Sequence, residues 1–99
     1  MSRTVVIRYT TKPDHADENQ RLVTEVFDQL ARENPDGLRY ASFRLADGVS
    51  FVHIAEMDDD ADPLPELAAF QDFQKGFKDR LEGKPDRSEA TIIGSYRFV

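Results

Sequence analysis

The feature that most constrains this chain is the dipeptide Asp47-Gly48, which separates two runs of β-forming residues. The first run spans residues 38–46 and the second spans residues 49–57. Asp-Gly is favoured in two-residue hairpin turns, because both central positions of such a turn need a positive φ. The sequence therefore predicts an antiparallel hairpin. Its predicted pairs are Leu45 with Ser50, Phe43 with Val52 and Ala41 with Ile54.

Side chains alternate between the two faces of such a hairpin, and these faces differ in polarity. One face is almost wholly apolar, with Ala41, Phe43, Leu45, Val52 and Ile54. The other face mixes large apolar groups with polar ones, namely Leu38, Tyr40, Ser42, Arg44, Phe51, His53, Ala55 and Met57. We expect the apolar face to be buried and the mixed face to be the one that the helices leave open.

The remaining patterns predict two helices and two further strands. Residues 4–9 are β-branched and aromatic, which favours a first strand. Apolar residues at helical spacing follow Asp14, a candidate N-cap, and this helix ends at Asn34. A second helix is predicted over residues 67–81. Residues 90–99, which are rich in Ile, Tyr and Phe, are predicted to form the last strand.

The order of elements is strand, helix, strand, strand, helix, strand. Right-handed crossovers give an antiparallel four-stranded sheet of order 4-1-3-2, with both helices on one face. This is the ferredoxin-like α+β fold, predicted as a single domain over residues 1–99. Because the mixed face contains large apolar groups, we expect a second copy of the chain to cover it as a homodimer, with a pocket between the two sheets. A two-layer monomer is the alternative.

Composition excludes several classes of function. The 13 Lys and Arg against 19 Asp and Glu give a net charge of -6, which repels nucleic acid. The chain has no Cys for disulfides or thiolate chemistry, and its two His, His15 and His53, lack metal-binding spacing. The acidic run at 58–62 lacks the Gly and Glu of a calcium loop and is interpreted as a solvated turn. Since no apolar run is long enough to cross a membrane, we expect a soluble cytoplasmic protein without nucleic-acid or membrane partners.

Segments spread over nearly the whole chain follow one family pattern. They are Lys12-Pro13 before the first helix, the strand 51–57 with Glu56 near its end, Leu67-Ala68-Ala69-Phe70, and Phe73-Gln74-Lys75-Gly76-Phe77. With the element order, they resemble the dimeric α+β barrel superfamily, most closely the antibiotic biosynthesis monooxygenase-like domains. The resemblance implies oxygenation of a small phenol or quinol without any cofactor, in a pocket on the open sheet face. Many members that look catalytic place a His where this chain has Phe70, and some use a Trp, which this chain lacks.

His53 is the candidate catalytic base, because it falls in the middle of a predicted strand on the mixed face, near Ser42. A neutral imidazole there accepts a phenolic proton, and Arg44 stabilises the anion that develops. Candidate substrate-binding residues are Tyr40, Ser42, Phe51, Arg8 and Tyr96. The three aromatic rings supply walls for a flat ligand, and Arg8 points toward an anionic group.

Each of these interpretations has a structural alternative. The structural reading, which is favoured for both residues, is a hydrogen bond of His53 with Ser42 or Tyr40 in a dimer interface and an ion pair of Arg8 with a carboxylate such as Glu56. The alternative function is a non-catalytic barrel that binds a small hydrophobic metabolite or serves as an interaction module. A third possibility is haem binding, for which His53 is the candidate axial ligand.

Overall fold

The computed structural model describes residues 2–58 and 62–99. Within these residues the strands are β1 (Arg3–Thr10), β2 (Leu38–Arg44), β3 (Ser50–Met57) and β4 (Asp86–Ala90), and the helices are α1 (Ala16–Glu33), α2 (Ala68–Gln74) and α3 (Phe77–Arg80). Short 3-10 turns at Pro13–His15 and Leu64–Glu66 precede α1 and α2. The middle of the predicted acidic turn, residues 59–61, lies outside the described residues.

The strands form one antiparallel sheet in the order β2-β3-β1-β4, which confirms the predicted ferredoxin-like topology. The hairpin register is also confirmed, since Phe43 pairs with Val52 and Ala41 with Ile54. At the turn, the Asp47 carboxylate accepts hydrogen bonds from the backbone N–H groups of Val49 and of Ser50, the first residue of β3, at 3.0 and 2.8 Å. This carboxylate closes the loop and helps to hold the register.

Both helical segments pack on one face of the sheet. Tyr9 and Phe51 of the sheet share a buried core with Val26 of α1 and Phe73 of α2. The two strand-helix-strand units therefore cross over with the same hand, as the fold requires.

The ends of the helices agree only in part with the sequence patterns. Asn34 ends α1 as predicted, in the left-handed conformation with φ +46°. Asp14 lies in the 3-10 turn before α1, and no side-chain cap hydrogen bond forms at either N-terminus there, so its predicted N-cap role is wrong. The predicted second helix is interrupted at Gly76, whose φ of +75° separates α2 from α3.

The helices cover the mixed face of the hairpin, so the predicted assignment of the two faces is wrong. Phe51, His53 and Met57 alternate along β3 on the helix side and are all buried. Val52 and Ile54, from the apolar face, are only partly buried. The mixed face tolerates burial because its polar groups find partners: His53 bonds to side chains of β1 and β2, and Tyr9 of β1 bonds in turn to Asn19 of α1.

The last strand also differs from its predicted position. It is Asp86–Ala90, and residues 91–99 form no strand. β4 runs antiparallel to β1 from the pair Arg8 and Asp86 to the pair Thr4 and Ala90. Because Thr4 lies one residue from the beginning of β1, the chain after Ala90 has almost no length of β1 left to pair with.

Candidate functional site

His53 lies at the centre of β3 beneath the helices and is 4% exposed. Strand pairing places it opposite Ser42 of β2. Paired residues share a face of the sheet, and so do residues two apart, so Tyr40 points into the same layer. Ser42 Oγ lies 2.5 Å from Nδ1 of His53, and Tyr40 Oη lies 3.1 Å from the same nitrogen.

The other ring nitrogen of His53 faces β1 and the helices. Nε2 lies 2.7 Å from the Tyr9 hydroxyl. That hydroxyl oxygen accepts a hydrogen bond from Nδ2 of Asn19, on α1, at 2.8 Å. Arg80, at the end of α3, donates from Nε to Oδ1 of Asn19 at 3.0 Å. We call this connected set the His53 cluster: Tyr9, Asn19, Tyr40, Ser42, His53 and Arg80.

The break between α2 and α3 holds Arg80 in place. Its guanidinium donates to the backbone carbonyl oxygens of Phe73 at 2.6 Å and Lys75 at 3.2 Å. Carbonyls at the end of a helix lack partners within the helix, and the turn at Gly76 leaves these two to Arg80. The guanidinium also lies over the Phe73 ring at 5.1 Å, so a residue that is only 5% exposed is nonetheless well partnered.

Burial determines the ionisation of the cluster. It lowers the pKa of His53 to about 4, so the imidazole is neutral at neutral pH. It raises the pKa of Tyr40 to about 12, against the opposing effect of a hydrogen bond with Ser42. Burial also raises the pKa of Tyr9, against the opposing effect of the hydrogen bond from Asn19. At neutral pH both phenols keep their protons, and the cluster carries its positive charge on the guanidinium.

Aromatic rings form the walls around His53. The Tyr9 ring stacks on the imidazole with centroids 5.3 Å apart, and Phe73 meets the imidazole edge-on at 5.7 Å. The Tyr40 ring stacks on Phe27 of α1 at 5.0 Å. The layer between the sheet and the helices around His53 is therefore packed with flat rings.

A cavity of about 320 Å³ opens between the C-terminal half of α1 and β2. It is lined mainly by apolar side chains: Phe27, Leu30, Ala31, Asn34, Pro35, Leu38 and Tyr40. The volume of this cavity is at the lower end of the range for small-molecule sites. Tyr40 belongs both to the wall of the cavity and to the His53 cluster. A flat ligand in this cavity contacts the residue whose hydroxyl reaches His53.

Arg44, a candidate for anion stabilisation, lies at the end of β2 and away from the imidazole. Its guanidinium donates to Asp17 at 3.0 Å and to Gln20 at 2.7 Å, both on α1, and to the carbonyl oxygen of Gly48. These contacts tie the hairpin end to α1. The guanidinium carbon of Arg44 lies 5.7 Å from the centroid of the Phe51 ring, which stacks on Tyr9.

Arg8 and Tyr96 do not share a cavity with His53, contrary to the sequence-based expectation. Arg8 pairs with Val52 and so points to the open face, because the helices cover the face of its neighbour Ile7. Tyr96 belongs to residues 91–99, here called the C-terminal segment, and is 81% exposed. The other predicted binding residues, Tyr40, Ser42 and Phe51, do lie on the face that carries His53.

A second, larger cavity of about 850 Å³ lies between the open face and the C-terminal segment. Its apolar lining includes Val6, Ala41, Ile54, Ile92, Tyr96 and Phe98. Arg39 and Glu56 stand at this cavity with their charged groups 3.8 Å apart. The open face is thus apolar, with polar groups at its margin.

Sequence reasoning missed Tyr9, Asn19 and Arg80 as members of the site. Asn19 carried a usable signal, because it lies in line with the buried residues Ala16, Val23 and Val26 of α1. A polar residue within an apolar helical stripe needs a buried partner. Arg80 carried no comparable signal, since a basic residue near a helix C-terminus is explained by the helix dipole alone.

The residues around His53 do not fit a haem group. Each ring nitrogen is engaged by a hydroxyl, Nε2 by Tyr9 and Nδ1 by Ser42, so the single lone pair of the neutral ring is not directed at an iron site. In the described part of the chain, no group of three or more His, Cys, Asp or Glu is placed to hold a metal ion. None of the helices described is both long and apolar enough to cross a membrane.

Solved structures with the same fold were found by structural comparison. A variant of SnoaB, a cofactor-independent oxygenase from Streptomyces nogalater, superposes with a TM-score of 0.66 at 19% identity, covering 98% of each chain. A protein described as an antibiotic biosynthesis monooxygenase gives a TM-score of 0.73 at 20% identity, over 95% of this chain and 100% of the other. The protein PA3566 from Pseudomonas aeruginosa gives 0.75 at 20% identity, over 94% and 95%.

No protein-family model and no curated protein matches the sequence. The structural likeness extends over nearly the full length of these chains at low identity, so it establishes the fold. The chain has the fold of these solved proteins, among them ones described as antibiotic biosynthesis monooxygenases, and the fold that the resemblance implies is thereby confirmed.

Proposed function

We propose that the protein is a cofactor-independent monooxygenase for a small phenol or quinol, with its active site at the His53 cluster. The observation that carries this proposal is a buried, neutral imidazole bonded to two phenolic hydroxyls, those of Tyr9 and Tyr40, at 2.7 and 3.1 Å. Surroundings that hold tyrosine rings against His53 suit an aromatic alcohol of similar size. The proposed site lies between sheet and helices, instead of on the open face where the sequence alone placed it.

The proposed reaction needs no bound electron donor, because the quinol supplies the electrons. A hydroquinone gives four electrons to O₂: one oxygen atom enters the ring, the other leaves as water, and the organic product is a hydroxyquinone. The phenolate is the electron-rich form that reacts with O₂. The task of the protein is therefore to stabilise the phenolate oxygen with a hydrogen-bond donor that is already held in place.

The 320 Å³ cavity supplies a place for the substrate ring in this proposal. A ligand there lies beside Phe27 and Tyr40. If the Tyr40 side chain rotates away, the hydroxyl of the ligand takes its place beside Nδ1 of His53. The vacated position is already polar, since Ser42 is hydrogen-bonded to the same nitrogen. The cofactor-independent oxygenase of Streptomyces nogalater, which shares the fold, supports this proposal by analogy.

Oxygen uptake with a panel of hydroquinones and electron-rich phenols tests the proposal. We expect uptake with at least one member, with one atom of isotopically labelled O₂ retained in the product. The variant His53→Gln should lower kcat about 100-fold, the scale for removing one polar group that stabilises an oxyanion. His15→Gln is the matched control and should retain full activity. Absence of uptake across the panel, or equal activity in His53→Gln, would contradict the proposal.

We also propose that the protein is a homodimer that joins through the open sheet faces. The C-terminal segment exposes Ile92, Ile93, Tyr96, Phe98 and Val99 at 53–99% of their surface. These side chains adjoin the apolar open face across the 850 Å³ cavity. Exposed apolar patches of this kind mark interaction sites, and a second copy presents the same surface in return.

Native mass spectrometry tests the assembly. We expect twice the 11.3 kDa mass of the chain. Ile93→Lys should shift the protein toward monomer, whereas Thr24→Lys, on the exposed side of α1, should not. A wild-type monomer at micromolar concentration contradicts the dimer. A dimer that retains a small hydrophobic molecule and shows no oxygen uptake supports the alternative function, a non-catalytic binding protein.

A further inference from the structure

We propose that Arg80 and Asn19 are positioning residues that hold His53 in one neutral tautomer, with the ring proton on Nδ1. They act through Tyr9, and neither touches the imidazole. In this tautomer His53 donates a hydrogen bond toward Ser42, Tyr40 and the side from which the substrate would enter.

The first step of the argument concerns the orientation of the Asn19 amide. A guanidinium only donates hydrogen bonds, so the Asn19 atom that faces Nε of Arg80 at 3.0 Å must be the oxygen. The amide nitrogen then faces Tyr9. An amide nitrogen also only donates, so the Tyr9 oxygen accepts its hydrogen bond at 2.8 Å.

The second step places the protons of Tyr9 and His53. Among the described residues, the Tyr9 hydroxyl has hydrogen bonds with Asn19 and with Nε2 of His53; since Asn19 cannot accept the Tyr9 proton, the hydroxyl donates to Nε2 at 2.7 Å. Nε2 is therefore an acceptor and carries no proton. A neutral imidazole holds its single proton on the other nitrogen, so Nδ1–H donates to Ser42 Oγ at 2.5 Å, with Tyr40 Oη nearby at 3.1 Å.

The tautomer changes the role that the sequence suggested for His53. A nitrogen that already carries a proton cannot act as the base for a phenol bound at its side. Instead, Nδ1–H stabilises the phenolate oxygen, and the phenolic proton is released to solvent. This catalytic consequence rests on the proposed function, whereas the tautomer itself rests only on the hydrogen-bond chain.

Nitrogen-15 NMR of the wild-type protein tests the tautomer without any turnover. Long-range correlations between ring nitrogens and carbon-bound protons show which nitrogen of His53 carries the proton. We expect the proton on Nδ1 at pH 7. A proton on Nε2, or rapid exchange between the two tautomers, would overturn the inference directly.

The variant Asn19→Asp tests whether the series of hydrogen bonds from Arg80 to His53 sets the tautomer. Aspartate has nearly the same shape, but both of its oxygens accept. One oxygen pairs with Arg80 and the other accepts the Tyr9 proton. The hydrogen bond between Tyr9 and residue 19 then runs in the opposite direction. The Tyr9 oxygen then accepts from Nε2–H, so we expect the His53 proton to move to Nε2.

Gln74→Glu is the matched control, because it makes the same amide-to-carboxylate change on an exposed residue of α2. It should leave the proton of His53 on Nδ1. Folded Asn19→Asp protein that retains the Nδ1 proton refutes the positioning role. The two proposals fail separately: the expected tautomers without oxygen uptake refute only the oxygenase, and uptake with an Nε2 proton refutes only the positioning role.

Discussion

The buried, neutral state of His53 predicts a steep loss of stability in acid. In the unfolded chain its imidazole has an ordinary pKa of about 6.5, and in the folded protein burial lowers that pKa to about 4. Between these values the unfolded chain binds a proton that the folded protein excludes. The free energy of unfolding therefore falls as the pH falls through this window, and the contribution of His53 is intact only above pH 6.5.

The size of the effect follows from the width of the window. Each pH unit well inside it removes about 1.4 kcal/mol of stability for one group. Between pH 7 and pH 4.5, with both pKa values taken into account, His53 alone removes about 2 kcal/mol. Domains of this size have a total stability on the order of 5–15 kcal/mol, so the loss is easily measured.

Urea unfolding of the wild-type protein and of His53→Gln at pH 7 and pH 4.5 isolates the contribution of His53 to the free energy of unfolding. Carboxyl groups titrate in both proteins and cancel in the difference. We expect the wild type to lose about 2 kcal/mol more than His53→Gln between the two pH values. The matched control is His15→Gln, which removes the other imidazole of the chain, one whose side chain is 41% exposed. Parallel pH dependences for wild type and His53→Gln would refute the argument that His53 is buried and neutral.

Three substitutions test the packing, all measured by urea unfolding at pH 7. Phe51→Ala empties a site in the centre of the core and should cost about 3–5 kcal/mol. Gly76→Ala should cost about 1–2 kcal/mol, because Gly76 has φ +75° while an added Cβ meets no atom closer than 3.9 Å, so the cost comes from the backbone. Arg21→Ala removes exposed ion pairs with Glu18 and Glu25 and should leave the urea midpoint almost unchanged. A cost for Arg21→Ala equal to that of Phe51→Ala would contradict this ranking.

The topology and the hairpin register were predictable because local signals determine them. Asp47 and Gly48 fix the turn, and the alternation of the flanking strands permits only one register that separates the two faces. The pairs of Phe43 with Val52 and Ala41 with Ile54 follow from that turn and are observed. A one-residue slip would have exchanged the faces along the whole strand.

The position of the last strand was not predictable from hydrophobic pattern. Residues 91–99 hold Ile92, Ile93 and Phe98, whereas β4 consists of Asp86–Ala90, all exposed. The strand is set by pairing to β1 at the edge of the sheet, and edge strands often carry charged side chains. Its sequence therefore contains little of the apolar signal by which strands are recognised.

The prediction of which hairpin face the helices cover was wrong for a related reason. Both faces of the hairpin carry large apolar groups, and polarity argued that the face with Ser42 and His53 is the open one. That argument holds only where buried polar groups lack partners. Here Tyr9 hydrogen-bonds to His53, Asn19 of α1 hydrogen-bonds to Tyr9, and Arg80 of α3 hydrogen-bonds to Asn19. Compatibility between distant polar residues is not visible in the pattern of either segment alone.

The hydrogen bonds between these distant polar residues also bear on why the His53 cluster lies in the core of so small a protein. Linked polar groups in a core are often no more stabilising than apolar residues of equal volume, and a single lost member leaves the rest unsatisfied. A chain of 99 residues has little apolar surface to spare, so stability alone does not explain a neutral His53 held between Tyr9 and Ser42. The cluster instead fixes the direction in which its hydrogen bonds are donated. Each group has one direction in which it donates, and that direction runs from Arg80 to the side of His53 where a phenol would bind.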